Sequence, residues 1–302
     1  MMIDYTGQQD WQEILQRIAS IREQEDYSNA NIDFIQEHLL SPDDRIRAGA
    51  ALASSGCVFQ PQILDILSEM AEHDSVDAIR KASLQSLGLI IHEGVLRNFE
   101  SGIGADTKLE FYEEWDELQT ESLHEDYLSI KNLIFSIVQD DFEVISVREA
   151  GLLAISDLGF LPPVREWIQD FISMDSESAK IAALQSMGKY PQYWTSQLSD
   201  YLSADQPKLL LLEAISSSYS SNSLQIAEKI ESLLEFEDPE ILSCALLTLA
   251  NINQTEHLGE ILQKFSFHQD DVVNQAAQEA LLHFSRKNFS GFMENELGYY
   301  DP

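Results

Sequence analysis

Apolar and small residues recur along this chain in a fixed pattern, and the clearest copy is Val147-Arg-Glu-Ala-Gly-Leu-Leu-Ala-Ile-Ser-Asp-Leu-Gly159. On a helix, Val147, Ala150, Gly151, Ala154, Ile155 and Leu158 fall on one stripe through their three- and four-residue spacing, while Arg148, Glu149, Ser156 and Asp157 lie off it. Small residues in mid-stripe let a second helix approach closely. Further copies start at Ile46, Ile79, Ala179, Ile241 and Val273, with a weaker one from Pro207. Successive starts are 33, 68, 32, 28, 34 and 32 residues apart, so one step is double.

A repeat of this length, with an Asp-rich turn before a hydrophobic-Arg-x-x-Ala frame, predicts paired helices stacked as an α-solenoid. The copies resemble HEAT repeats of the short bacterial type over roughly residues 30–285. That resemblance implies an all-α fold, a right-handed α-α superhelix of seven to eight helix pairs, forming one elongated domain over residues 1–302. Residues 8–24 carry Trp11, Ile14, Leu15, Ile18 and Ile21 at helical spacing outside any repeat frame and predict an N-terminal cap within residues 1–29. Repeats are expected over 30–89 and 126–285, with Pro61, Pro162-Pro163, Pro191, Pro207 and Pro239 at turns or first helical positions. Between 90 and 125 the frame is lost. This acidic span is either a degenerate repeat or an insertion, the doubled step slightly favouring the former, and residues 286–302 read as a C-terminal tail.

Charge changes the picture more than composition does. The apolar fraction, 44%, is ordinary for a folded protein, but the formal net charge is −34. Such a field repels phosphates and anionic lipid, so neither nucleic acid nor a membrane is an expected partner. No basic, apolar leader and no long apolar run occur, and the two cysteines, Cys57 and Cys244, lie far apart in the sequence. These features predict a cytoplasmic protein. The acidity itself reads either as a solvated coat or as attraction for a basic partner protein; the oligomeric state is open.

No catalytic constellation emerges. The seven histidines sit at unrelated frame positions, and no pair has helical metal-ligand spacing. His92-Glu93 and His124-Glu125 are the only dipeptides comparable with those of HEAT-repeat di-iron hydroxylases, and neither recurs in a repeat helix. No cofactor is expected. The resemblance implies that second helices line a concave docking face. The third and seventh frame positions would point there: Lys81, Gln85, Glu149, Leu153, Ile181, Gln185, Leu209, Glu213, Ser243, Leu247, Gln275 and Glu279. Acids concentrate instead on first helices, as at Asp65, Glu69, Glu72, Glu166, Asp170, Glu228, Glu231 and Glu235, and in a candidate acidic site at Glu113, Glu114, Trp115, Asp116 and Glu117. Arg148 is expected to brace the Asp-rich turn of an adjacent repeat. The function this supports is a non-catalytic protein-binding scaffold or adaptor. The alternative, a lyase-like or accessory repeat protein acting on a prosthetic group or client, follows from a similarity to phycobilin lyase-type repeats.

Overall fold

The computed structural model describes residues 6–101, 117–252 and 257–297, with side chains at 11–100, 121–252 and 257–286. Fifteen α-helices and no strand occur among them. They are α1 (Thr6–Gln24), α2 (Asn29–Leu39), α3 (Asp44–Ala53), α4 (Pro61–His73), α5 (Asp77–Leu96), α6 (Glu117–Gln139), α7 (Ile145–Ala154), α8 (Pro162–Ser173), α9 (Glu177–Met187), α10 (Thr195–Tyr201), α11 (Lys208–Ser217), α12 (Leu224–Ser232), α13 (Pro239–Ile252), α14 (Leu258–Phe265) and α15 (Asp271–Leu297). After α1, six consecutive pairs are in contact, α2–α3, α4–α5, α6–α7, α10–α11, α12–α13 and α14–α15, and α8 and α9 follow α7 in the chain, at the places the repeat frame and the prolines predict. The chain is thus an all-α repeat protein of the helix-pair solenoid class.

Contacts divide it into two compact units, Met1–Phe171 and Ile172–Pro302. In the first, the second helices α3, α5 and α7 pack successively on one another, while α2, α4 and α6 form the other layer. In the second, α9, α11, α13 and α15 pack in the same succession, with α10 and α12 beside them. Cap helix α1 lies on α3: Ile18 and Ile21 are buried, and Arg45 of α3 stacks 3.9 Å over the Trp11 ring.

Small frame residues produce the close approaches. In the first unit a Cβ on Gly88 would sit 3.1 Å from the Ala154 Cα; in the second, one on Gly188 would sit 3.0 Å from the Ser217 Cα. Hydroxyls at the eighth frame position then tie neighbouring second helices together. Ser86 donates to the Ala51 carbonyl at 2.6 Å, and Thr248 to the Ile215 carbonyl at 3.5 Å.

The second frame position has its own task. A helix leaves its last carbonyls without intrahelical donors, and here a side chain from the following helix supplies one at or just beyond the helix end. Arg47 Nη1 donates to Ser41 O at 2.9 Å, Arg80 Nε to Ala71 O at 3.0 Å, Arg148 Nε to Val138 O at 2.9 Å and Asn274 Nδ2 to Ser266 O at 2.6 Å. Arg47 also reaches Asp74, and Arg80 reaches Glu143, each an acid in the next repeat's turn. Arg148 departs from the expectation: its acid, Asp141 at 3.2 Å, belongs to its own repeat's turn.

Three further readings are corrected. The segment from Val147 is not one helix to Gly159, because α7 stops at Ala154 and a 3-10 turn follows at Ser156–Leu158, where Ser, Asp and Gly offer little helical support. The α11 copy starts at Leu210 rather than Pro207: Leu210, Leu211, Ala214, Ile215 and Ser217 are the buried positions, and Ser217 meets Gly188 as Ala154 meets Gly88. The last helix runs to Leu297, past the predicted end near 285.

Across the doubled step α5 packs directly on α7, with no described helix between them. α5 runs to Leu96 and α6 begins at Glu117, and residues 102–116 between them lie outside the described residues. Within α6 Tyr127 is fully buried and donates to Glu100 Oε1 at 2.5 Å, and Lys131 pairs with the same carboxylate. Burial alone would raise the Glu100 pKa, but the Lys131 and Tyr127 hydrogen bonds outweigh it and hold the carboxyl below its ordinary value. A Cβ on Gly94 would lie 2.1 Å from the Tyr127 ring. Gly94→Ala is therefore expected to destabilise the first unit by about 1–3 kcal/mol through overpacking, which a urea titration would show as a lower midpoint at constant slope.

At the other end, the sixth frame position marks a terminus. It is a fully buried Leu84, Leu152, Leu184, Ile215 or Leu246 in earlier repeats, but Gln278 in α15 is exposed and donates to Asn274 Oδ1 at 2.6 Å. A polar residue there discourages further stacking. Gln278→Leu should promote self-association, visible by light scattering as a mass that rises with concentration where the parent's stays constant.

Candidate binding faces

The second-helix ladder is accessible throughout, because the buried frame positions turn toward neighbouring helices and leave the third and seventh outside. In the first unit Lys81 and Glu149 are half-buried, whereas Gln85 and Leu153 are exposed. In the second, Gln185, Leu209, Gln275 and Glu279 are exposed, and Ile181, Glu213, Ser243 and Leu247 are half-buried. The fold brings Gln185 and Glu213 together, Nε2 donating to Oε2 at 3.1 Å. Ser243 turns its hydroxyl back to Pro239 O at 2.7 Å. With α11 in its observed register, Leu212 and Ser216 occupy the positions equivalent to Ser243 and Leu247, and Ser216 Oγ lies 3.5 Å from Cys244 Sγ. Burial pushes the Cys244 thiol up, so it is a protonated, weakly reactive group at neutral pH.

First-helix acids face solvent. Asp65, Glu69 and Glu72 of α4, Glu166 and Asp170 of α8 and Glu228 of α12 are exposed. The acids on α4 and α6 are close enough to act on each other: burial, then Asp65 and Glu125, push the Asp126 carboxyl above its ordinary pKa. Glu113, Glu114, Trp115 and Asp116 lie outside the described residues, and Glu117 opens α6.

Two features were not foreseen from the sequence. A cavity of about 470 Å³ is lined by Arg22, Glu25, Tyr27, Ser55, Gly56 and Leu89. The other is the α6–α7 turn, where Phe142 is 99% exposed between two anchored neighbours. Its signal, an aromatic residue inside an Asp-rich turn, was present in Asp140-Asp-Phe-Glu143. Among the described residues no group of three or more His, Cys, Asp or Glu side chains could hold a metal ion. His92 Nδ1 is 2.9 Å from Asp157 Oδ2, which links α5 to the turn after α7.

No family model matches this chain, and no curated protein sequence does. Solved structures do show likenesses. The E. coli protein YibA is 14% identical over 84% of this chain and 98% of its own, with a TM-score of 0.36. A designed armadillo repeat protein, solved in complex with the peptide (KR)4, is 18% identical over 83% of this chain and 98% of its own, with a TM-score of 0.34. An engineered protein shares 15% identity over 83% and 96%, with a TM-score of 0.30. The repeat architecture rests on the helix packing, and these likenesses add nothing about a ligand.

Proposed function

We propose that this protein is a non-catalytic scaffold or adaptor that binds another protein, through the second-helix ladder, through its acidic surface, or through both. The observation that carries this reading is the segregation of surface chemistry within each unit. One face offers a row of mainly uncharged or mixed side chains, such as Gln85 and Leu153 or Gln185 and Leu247, while the first helices carry exposed acids. A ladder of polar and apolar side chains on rigid, mutually packed helices suits recognition of a protein surface, because little order is lost when a partner docks. The acids favour a partner with basic groups.

No described helix is long and apolar enough to cross a membrane. Both cysteines are free, which fits the proposed cytoplasmic location. Affinity purification from the source cells at low and at high salt tests the reading. A partner that persists at high salt would be held by the ladder, and one released by salt would be held by the acidic surface. Recovery of no partner at either salt would refute it.

A further inference from the structure

The α6–α7 turn is fixed at every position except the one side chain it displays. Asp140 closes it, its carbonyl accepting from Glu143 N at 3.1 Å and its Oδ1 accepting from Phe142 N at 2.9 Å. Arg80 grips Glu143 with two hydrogen bonds, and Arg148 joins Asp141 at 3.2 Å while also holding the end of α6. Arg80 and Glu143 are only 13% and 11% exposed, so this side of the anchor is largely shielded from water. Yet Phe142, between the two anchored acids, is 99% exposed, and Val144 and Ile145 beside it are 44% and 38% exposed.

A flexible loop would lose conformational freedom on fixing its phenyl ring in a partner; this turn has already lost it. Aromatic anchors of that kind dominate binding where they fill a desolvated pocket. Charge selects the socket. Asp140 and Asp141 flank the ring, Asp141 being 87% exposed, and the whole chain is strongly acidic. An apolar pocket in an acidic surface would be repelled on approach, as would an anionic bilayer, and one in a neutral surface would gain no attraction. We propose that the α6–α7 turn is a preformed docking knob, on which Phe142 enters an apolar socket rimmed by Lys or Arg on a partner protein. The inference rests on the adaptor reading, and it adds the point of attachment and the chemistry of the receiving surface.

The test uses the full chain, immobilised, in three forms: wild type, Phe142→Ala and Phe267→Ala, the last removing an exposed phenylalanine of the α14–α15 turn. Proteins retained from a soluble extract of the source cells are purified, and each is titrated against the three forms by calorimetry. All three forms should melt alike, because neither ring is packed. The expected result is a partner whose affinity falls about tenfold or more with Phe142→Ala, is unchanged with Phe267→Ala, and weakens as salt rises. Retained partners that bind Phe142→Ala within about twofold of wild type would overturn the knob and leave the adaptor reading standing. If wild type retains nothing, both fall. The knob is equally overturned if Phe142→Ala instead abolishes sedimentation with phosphatidylcholine vesicles, or converts a dimer of this chain to monomer.

Discussion

Ala183→Glu is expected to destabilise the second unit by about 4–5 kcal/mol, at the upper end of single-substitution effects. Ala183 is completely buried in α9, at the frame position that lets second helices approach. A glutamate there must either bury an unpaired carboxylate or force the helices apart, and both are costly. Trp194, 5% exposed and the only tryptophan after residue 171, gives a fluorescence signal from this unit. Its thermal transition should fall by more than about 10 °C, while Gln185→Ala, exposed on the same helix and losing only one surface hydrogen bond, should move it far less. Equal melting of Ala183→Glu and parent would mean that α9 does not face its neighbours as described.

Arg80→Met should cost the first unit about 3–4 kcal/mol, because removing one member of a mostly buried ion pair strands the other. Here the loss includes the donor to Ala71 O as well as both bonds to Glu143. The double variant Arg80→Met/Glu143→Gln relieves the stranded charge and should recover a substantial part of that stability, giving a favourable coupling in a double-mutant cycle. Strict additivity of the two changes in urea unfolding would show that the pair contributes independently of one another. The single variant should also loosen the α6–α7 turn, raising amide exchange at Phe142 and Glu143.

Much of this architecture could be read from spacing alone. Residues that must meet a neighbouring helix have to be small or apolar at fixed intervals, so Ile79, Ala82, Leu84 and Leu87 announce their helix pair without any knowledge of its surroundings. Proline lacks an N–H and therefore marks first turns, as at Pro61 and Pro239. What failed were features decided by tertiary contact. The run Leu209-Leu-Leu-Leu212 is apolar at every position, so only packing against α9 and α13 selects which leucines turn inward. The doubled step looked like two periods, yet the helices on either side of it, α5 and α7, pack on each other. Nor could the sequence show that Arg148 would find its acid within its own turn, since Asp141 and acids farther along are equally close in pattern. The ladder residues proved accessible, but accessibility is a weaker property than engagement by a partner. Phe142 was invisible for another reason: an aromatic residue in a helical protein is ordinarily assigned to the core, and only the geometry of the turn places this one outside it.

The arginines beneath the turns have one more effect, on the electric field that an approaching molecule meets. Arg47, Arg80 and Arg148 spend their charge on carbonyls and acids close by, and each shows little of its side chain to water. Positive charge is thereby withdrawn from the surface, so at long range the protein acts more as a negative monopole than as a dipole. A monopole accelerates the arrival of a cationic molecule and turns its positive side inward, but does not select where on the protein it lands. Encounter would be fast and salt-sensitive, and the docking point would be found only after contact, by a search across the surface.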